Sequence, residues 1–317
     1  MKQKITPSLW RDKNCEEAMN FYISVFSNSP GKKEESKIIS IKRYEKGMET
    51  PGIEKMEGKV LTGIFELEGY RFMALDGGPI FEINPSASFI LNFDPSTSKR
   101  ASENIEYFWK KLSDGGKVLM EFQKYPFSEK YSWCEDKFGV SWQLILSNPE
   151  GEERPFITPS MMFVGGKAGK AEEAMKFYLS VFKNSKQGQI ARYPAGMEPD
   201  KEGTIMFSDF MLENQWFAAM DSAREHEFNF NEAVSFYVEV VDQNELDYYW
   251  EKLSAMPESE ICGWLKDKYG ISWQIIPKRM GDMLSDPDSE KANRGLNAML
   301  KMKKIDIEGL RKAYEGR

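Results

Sequence analysis

Histidine is nearly absent from this chain: its 317 residues include a single one, His226. A Ser-His-Asp triad, or a zinc site with several histidines in each of two domains, needs more than one such residue. Cysteine is also scarce, and its three positions (Cys15, Cys134 and Cys262) show no CxxC spacing. This pattern argues against a disulfide framework and a structural zinc site. Because three free thiols fit a reducing compartment, we expect a cytoplasmic protein.

The sequence has no apolar run approaching about 18 residues, so no segment is predicted to span a membrane. It contains 43 Lys and Arg against 50 Asp and Glu, which gives a formal net charge of -7. Because non-specific binding to phosphate backbones needs a basic surface, we expect no nucleic-acid partner. Hydrophobic residues make up 41% of the chain, a globular composition, and the length predicts two domains.

The chain repeats itself in tandem. Three motifs recur in the same order: Ile5-Thr6-Pro7-Ser8 as Ile157-Thr158-Pro159-Ser160, the run Glu16 to Phe26 as Glu172 to Phe182, and the run Asp136 to Gln143 as Asp267 to Gln274. Such a repeat indicates a duplicated structural unit. We therefore predict a first domain at 1–147, a linker at 148–155, a second domain at 156–277 and a helical tail at 278–317.

Hydrophobic periodicity and turn residues predict an α+β fold built from βαβββ modules. The first module has strands at 5–11, 37–44, 59–68 and 70–76 with a helix at 14–27. The second has strands at 86–93, 117–122, 131–135 and 140–146 with a helix at 101–113. The second half repeats this order, with its sixth strand shortened or lost.

Paired βαβββ modules resemble the glyoxalase/bleomycin-resistance, or vicinal oxygen chelate, superfamily. Five segments are similar to its PhnB-like branch, which is often labelled 3-demethylubiquinone-9 3-methyltransferase: Glu16 to Asn28, Phe72 to Pro79, Asn231 to Phe236, Cys262 to Gln274, and the tail segment Asp286 to Asp306. The resemblance implies two tandem domains packed as an internal pseudo-dimer, with one cup of strands in each half. It further implies a monomer or a weak homodimer.

The superfamily resemblance also implies where a metal would lie, on the first and last strands of each module. These positions fall near Thr6 or Pro7, near Thr158 or Pro159, near Ala74 and Ala219, near Ser88 and Ser235, and on Gln143 and Gln274. Proline and alanine offer no side-chain donor, serine is a poor ligand, and glutamine alone does not hold a metal. We therefore predict no metal and no cofactor.

The methyltransferase label of the branch has no visible mechanism in the sequence. Binding of S-adenosylmethionine usually needs a glycine-rich loop after the first strand of a parallel sheet. Here the first strand leads into Arg11-Asp12-Lys13-Asn14, which has no glycine. Gly77-Gly78 follows a strand but precedes Pro79, so it is interpreted as a turn.

Arg43-Tyr44 and Arg192-Tyr193 close the second strand of each half. A guanidinium beside a tyrosine at the mouth of an apolar cup suits an anionic or carboxylated ligand. A surface salt bridge is the alternative. The candidate ligand-binding residues are Arg43, Tyr44, Ser88, Gln143, Arg192, Tyr193, Ser235 and Gln274, and no catalytic residue is assigned. For the two glutamines the alternative is a satisfied amide in the core.

Strand parity places Trp142 on the face opposite Gln143, so the tryptophan packs under the helices if the glutamine points into the cup. His226 is flanked by charges, and we expect it to be exposed and without a catalytic role. No cysteine is shared by the two halves, so we expect no common catalytic thiol.

The leading functional interpretation is metal-independent binding or sequestration of a small molecule. The alternatives are an enzyme of this superfamily with an unknown reaction, and a protein-interaction module whose cups are filled. We expect the better-enclosed pocket in the first half, near Arg43, Tyr44, Ser88 and Gln143. The reason is the segment Lys117 to Tyr131, which would supply an edge strand and an aromatic loop over the mouth.

Overall fold

The structure is a computed structural model that describes residues 3–45, 55–147, 152–284 and 286–317. Residues 148–151 of the predicted linker lie outside the described residues. The strands and α-helices are, in chain order, β1 (Ile5–Arg11), α1 (Cys15–Ser27), β2 (Lys37–Arg43), β3 (Val60–Leu67), β4 (Tyr70–Asp76), β5 (Ala87–Phe93), α2 (Ala101–Leu112), β6 (Lys117–Tyr125), β7 (Ser128–Glu135), β8 (Ser141–Leu146), β9 (Ile157–Phe163), α3 (Ala171–Val181), β10 (Lys186–Arg192), β11 (Ile205–Leu212), β12 (Gln215–Asp221), β13 (Val234–Val240), α4 (Gln243–Leu253), β14 (Trp264–Lys266), β15 (Ser272–Pro277), α5 (Lys278–Leu284), α6 (Ser289–Met299) and α7 (Ile307–Glu315).

The predicted modules are confirmed in type and order, and the fold class is α+β. In the first half, β6 and β7 differ clearly from their predicted bounds: β6 runs on to Tyr125 and β7 begins at Ser128, because the two strands form a hairpin. In the second half, the described residues between α4 and β14 contain no strand. A 3-10 helix at Pro257–Ser259 and an isolated bridge between Ile261 and Trp264 stand there instead. The loss of the sixth strand is therefore confirmed.

The chain divides into two compact units. The large unit is Leu9–Asn229, and the small unit combines Met1–Ser8 with Phe230–Arg317. These bounds differ from a division at the linker, because β1 begins in the small unit and ends in the large one. The domain boundaries given by the sequence repeat stay a prediction.

The large unit contains an eight-stranded sheet in the order β10-β11-β12-β9-β5-β8-β7-β6. The sheet takes four strands from each sequence half, because β5 pairs with β8 in parallel and with β9 antiparallel. The expectation that each half closes its own cup is therefore corrected. The connection from β8 to β9 has only to pass the end of β5, about 10 Å for two strand spacings. Pairing β9 with β5 satisfies backbone groups on both strands.

The two faces of this sheet have different roles. On one face, Trp142 is 1% exposed, and its ring centroid lies 5.7 Å from that of Tyr22 and 5.9 Å from that of Phe26, both on α1. We call this the helix face. The opposite face carries Gln143, Ser88 and their neighbours, and we call it the cup face. The prediction that Trp142 packs under the helices while Gln143 points away from them is confirmed.

The small unit pairs β13 with β15 in parallel and β15 with β14 antiparallel. The tail supports β14, because the N–H groups of Cys262 and Gly263 donate to the carbonyls of Met302 and Lys303 at 2.8 Å. Ile305 of the tail is fully buried. Within the described ranges, no helix is both long enough and apolar enough to cross a membrane.

Candidate functional site

A buried aspartate sets the start of β8. The carboxylate of Asp136 accepts the N–H groups of Phe138 at 2.8 Å and Val140 at 3.1 Å, and the Trp142 indole N–H at 2.8 Å. Gly139 completes the turn with φ at +79°, where a side chain is disfavoured. Asp267 makes the same three kinds of bond in the small unit. The repeated motif is thus a turn that fixes which side chains of the last strand reach the cup face.

A chain of uncharged polar side chains crosses the cup face of the large unit. The Tyr131 hydroxyl donates to Oε1 of Gln143 at 2.8 Å, and Nε2 of Gln143 donates to Oγ of Ser88 at 2.9 Å. Burial raises the pKa of Tyr131, so its hydroxyl stays protonated at neutral pH. Beside them, the Trp133 indole N–H donates to Ser141 at 2.7 Å. We call Tyr131, Gln143 and Ser88 the polar chain.

Ser160 lies next to the polar chain and has no partner for its side chain. It is directly opposite Ser88 in the β5–β9 pairing, and it is 1% exposed. Its hydroxyl forms no hydrogen bond with any described residue. A buried hydroxyl without a partner costs free energy, about 1–3 kcal/mol in mutational data. A ligand group that reached Ser160 would recover that free energy.

Ser160 was missed by the sequence analysis, which placed the first-strand position at Thr158 or Pro159. The available signal was the alternation of Thr158, Ser160 and Met162 along one strand face. The same alternation in the first repeat selects Ser8, which is 1% exposed and also has an unpartnered hydroxyl.

A cluster of apolar side chains adjoins the polar chain and shares Tyr131 with it. Tyr131 and Trp133 of β7 pack with Met162 and Val164 of the β9 region, and we call this cluster the apolar roof. They reach each other across β5 and β8, where the small side chains of Ser88 and Ser141 leave room. Further apolar side chains pack against the roof: Leu119, Met120, Tyr125, Ile145, Met220 and Phe228.

The small unit carries a related arrangement. Nε2 of Gln274 donates to Oγ of Ser235 at 3.0 Å, as Gln143 does to Ser88. Trp264 is the cross-strand neighbour of Gln274, as Trp133 is of Gln143. The sequence repeat places Cys262 where the large unit has Tyr131. The small unit therefore keeps the glutamine–serine bond but has no tyrosine at that position.

The two predicted arginines form ion pairs at exposed positions. Arg43 donates to both carboxylate oxygens of Glu16, at 2.8 and 2.9 Å, and Arg192 donates to Glu172 at 2.7 Å. Hydrogen bonds from Arg192 and then Lys176 lower the pKa of Glu172 to about 2. These contacts correspond to the salt-bridge alternative for both arginines.

The two predicted tyrosines bond to strand ends. The Tyr44 hydroxyl donates to the carbonyl of Asp76 at 2.9 Å, and the Tyr193 hydroxyl donates to the carbonyl of Asp221 at 3.1 Å. The Asp76 carboxylate accepts the N–H of Cys15 at the start of α1, so this corner of the fold faces the helix. The structure brings Ser88 and Gln143 together in the eight-stranded sheet. Arg43 and Tyr44 follow β2, which pairs instead with β3.

Both halves of the chain match the same protein family. The family model described as 3-demethylubiquinone-9 3-methyltransferase matches residues 3–145 and again 155–276. The chain belongs to this family. The double match confirms the tandem duplication and the family resemblance that the motifs predicted.

Several solved structures resemble parts of this chain. The chain is 38% identical to a putative 3-demethylubiquinone-9 3-methyltransferase, PhnB protein, from Bacillus cereus, over 46% of this chain and 100% of that chain, with a TM-score of 0.38. A protein from Pseudomonas aeruginosa is 22% identical over 46% of this chain and 98% of its own, with a TM-score of 0.36. A mutant of glyoxalase I from Zea mays is 13% identical over 86% and 94%, with a TM-score of 0.47. The curated proteins contain no match.

The residues at the superfamily's metal positions do not fit a divalent transition metal. In this family member those positions offer hydroxyls and an amide, and the Gln143 amide is already bonded on both its atoms. Such metals favour imidazole, carboxylate and thiolate ligands. The described residues contain no group of three or more His, Cys, Asp or Glu side chains placed to hold a metal ion.

The pair Gly77-Gly78 is explained by its contact with Trp10. The Trp10 indole N–H donates to the carbonyl of Gly78 at 2.7 Å, and a Cβ added to Gly77 would lie 2.1 Å from the same indole. The backbone therefore packs directly on a tryptophan ring, which only glycine permits. This supports the interpretation of the segment as a turn.

The cysteines and the histidine occupy different environments. Cys15 and Cys134 are buried free thiols, and burial raises the pKa of Cys134 to about 12. Such thiols are unreactive at neutral pH. The expectation that His226 is exposed is wrong: it is half-buried, its Nε2 lies 2.8 Å from Oγ of Ser222, and burial lowers its pKa. Its ring packs on Phe228, a tertiary contact that the flanking charges do not reveal.

Proposed function

We propose that the large unit binds an uncharged small molecule on its cup face, without a metal. The observation that carries this proposal is the unpartnered hydroxyl of Ser160, buried opposite Ser88 of the polar chain and two residues from Met162 of the apolar roof. Unpartnered buried polar groups are uncommon in folded proteins, and a ligand is one of the explanations for them. Binding or sequestration of a ligand needs no catalytic group.

The chemistry of the site favours a neutral ligand with a hydrogen-bond acceptor. The polar chain and Ser160 are all uncharged, so a charged group that contacted them would lose hydration and gain no opposite charge from these residues. The amide nitrogen of Gln143 carries two hydrogens and donates one of them to Ser88. A ketone or similar carbonyl would accept the second amide hydrogen or the Ser160 hydroxyl. Tyr131, Trp133 and Met162 suit an aromatic ring in the ligand.

The large unit is the better candidate of the two because it has the β6–β7 hairpin. At its tip, the Phe127 ring lies 5.7 Å from that of Tyr125 and 5.0 Å from that of Tyr131. Phe127 is 55% exposed, so an aromatic path leads from the surface to the polar chain. The small unit has no counterpart of β6 among its described residues. We propose one ligand per chain, and a cytoplasmic location in keeping with three free thiols.

The test uses prodan, an uncharged fluorescent naphthalene with a ketone at one end and a dimethylamino group at the other. We expect the full chain to bind one prodan with a blue shift of its emission, and to bind the anionic anilinonaphthalene sulfonate much more weakly. Ser160→Ala should weaken prodan binding while raising the melting temperature, because the variant removes an unpartnered hydroxyl worth about 1 kcal/mol.

Ser8→Ala is the matched control. It removes the equivalent unpartnered hydroxyl from the small unit, so it should raise the melting temperature in the same way and leave prodan affinity unchanged. No prodan binding to the unmodified chain would contradict the proposal. A Ser160→Ala variant that is stabilised but binds prodan normally would show that the serine is only a core residue.

A further inference from the structure

A second polar pair lies beside the apolar roof of the large unit. Oγ of Ser222 and Nε2 of His226 are 2.8 Å apart. Ser222 directly follows β12 and is 7% exposed, whereas the His226 side chain is only half-buried. In the first repeat, Gly77 and Pro79 occupy the corresponding positions. The pair is therefore not part of the duplicated scaffold and needs its own explanation.

Two contacts connect this pair to the apolar roof. Met220, two residues before Ser222, is the cross-strand neighbour of Met162 and packs against the roof. The His226 ring centroid lies 4.9 Å from that of Phe228, which packs against the same cluster. The roof thus shares Tyr131 with the buried polar chain and has the Ser222–His226 pair at its border.

Burial keeps the His226 imidazole neutral near pH 7. Burial lowers its pKa most, the nearby Asp200 carboxylate raises it, and the Arg224 guanidinium lowers it. Oδ1 of Asp200 accepts the N–H of Ala223 at 2.7 Å, whereas Oδ2 makes no hydrogen bond and lies 3.5 Å from Nε of Arg224. A neutral imidazole offers one N–H donor and one nitrogen acceptor. Nε2 is used by Ser222, which leaves Nδ1 for another partner.

We propose that Ser222 and His226 are a second polar contact for the ligand of the large unit, so that one molecule extends from Ser160 and the polar chain to this pair. The inference rests on the proposed function and narrows its ligand class. The ligand would be uncharged and elongated, with a hydrogen-bonding group at each end and an apolar, ring-containing middle against the roof. Prodan has the ring-containing middle, a strong ketone acceptor at one end and a weaker acceptor, the dimethylamino nitrogen, at the other.

The single histidine allows a direct test in the full chain. The imidazole signals in an NMR spectrum belong to His226 alone, so no assignment by mutation is needed. We expect prodan to shift these signals and to lower the pH at which they titrate, because the bound molecule excludes water from the neutral ring. By linkage, prodan affinity should then fall several-fold as the pH decreases from roughly 8 to 5.

Two variants separate this inference from the proposed function. His226→Gln keeps hydrogen-bonding groups but does not titrate, so this variant should bind prodan with little pH dependence. His226→Phe should weaken prodan binding about 5-fold at pH 8, because it loses one hydrogen bond. Glu225→Gln removes a neighbouring exposed charge and should keep the pH dependence. Unchanged imidazole signals with prodan bound, or an unchanged pH profile in His226→Gln, would overturn the inference and leave the proposed function standing. If prodan does not bind at all, both are wrong.

Discussion

Gln143 donates from Nε2 to Oγ of Ser88 across the parallel pair of β8 and β5, at 2.9 Å. The duplicated chain repeats this bond between Gln274 and Ser235 at 3.0 Å. A glutamine at this position is thus bonded inside the sheet in both repeats, in agreement with the satisfied-amide alternative. The large unit differs because Tyr131 bonds the other atom of the amide and Ser160 lies unpartnered beside it.

The first prediction separates the two glutamines. Gln143→Leu should weaken prodan binding about 5–30-fold, because it removes an amide donor and leaves Tyr131 and Ser88 without their partner. Gln143→Leu, and likewise Gln274→Leu in the small unit, should also destabilise the protein by about 1–3 kcal/mol, because each variant leaves a buried serine hydroxyl without its hydrogen bond. Fluorescence titration measures the affinity and urea unfolding measures the stability.

Gln274→Leu is the control for this experiment, since it makes the equivalent change in the small unit. We expect its prodan affinity to equal that of the unmodified chain. Equal losses of affinity in the two variants would show that the binding site is not confined to the large unit.

The second prediction concerns the aspartate turn. Asp136→Asn should destabilise the protein by about 2–4 kcal/mol. The asparagine oxygen can still accept the two backbone N–H groups, but its NH₂ group cannot accept the Trp142 indole N–H, which loses its partner. Asp267→Asn should have a similar cost, since Asp267 accepts from Trp273 and two backbone N–H groups in the same way. Urea unfolding of the full chain measures both. The exposed Asp114 provides a control, and Asp114→Asn should leave stability within about 0.5 kcal/mol. A mild effect of Asp136→Asn would mean that the carboxylate is not needed for the turn.

The sequence predicted the local features of the fold and missed the long-range ones. The alternation of side chains along β8 was enough to place Trp142 and Gln143 on opposite faces. The pairing of β5 with β9 was not predictable. Which strand of the second repeat pairs with a strand of the first depends on packing across the whole chain. For the same reason the sequence did not identify Ser160 as the neighbour of Ser88, or the burial of His226 against Phe228.

The third prediction decides between the two interpretations of the arginines. The pKa of Glu172 is held at about 2, first by the hydrogen bond from Arg192 and then by Lys176. In Arg192→Gln we expect NMR titration to show this pKa rising towards its ordinary value of about 4.3, with the remaining depression due to Lys176. Because a depressed carboxylate pKa stabilises the folded state above the unfolded pKa, the contribution of this pair is present at neutral pH and is lost as the pH falls towards 2.

The same variants report on ligand binding. Since Arg43 and Arg192 are bonded to Glu16 and Glu172 at exposed positions, Arg43→Gln and Arg192→Gln should leave prodan affinity unchanged and cost less than about 1 kcal/mol of stability. The two variants control for each other, because each removes the equivalent pair from one repeat. A large loss of affinity for anilinonaphthalene sulfonate in Arg43→Gln would instead support an anionic ligand at the end of β2. That result would move the binding site from the cup face to the corner where Tyr44 bonds to Asp76.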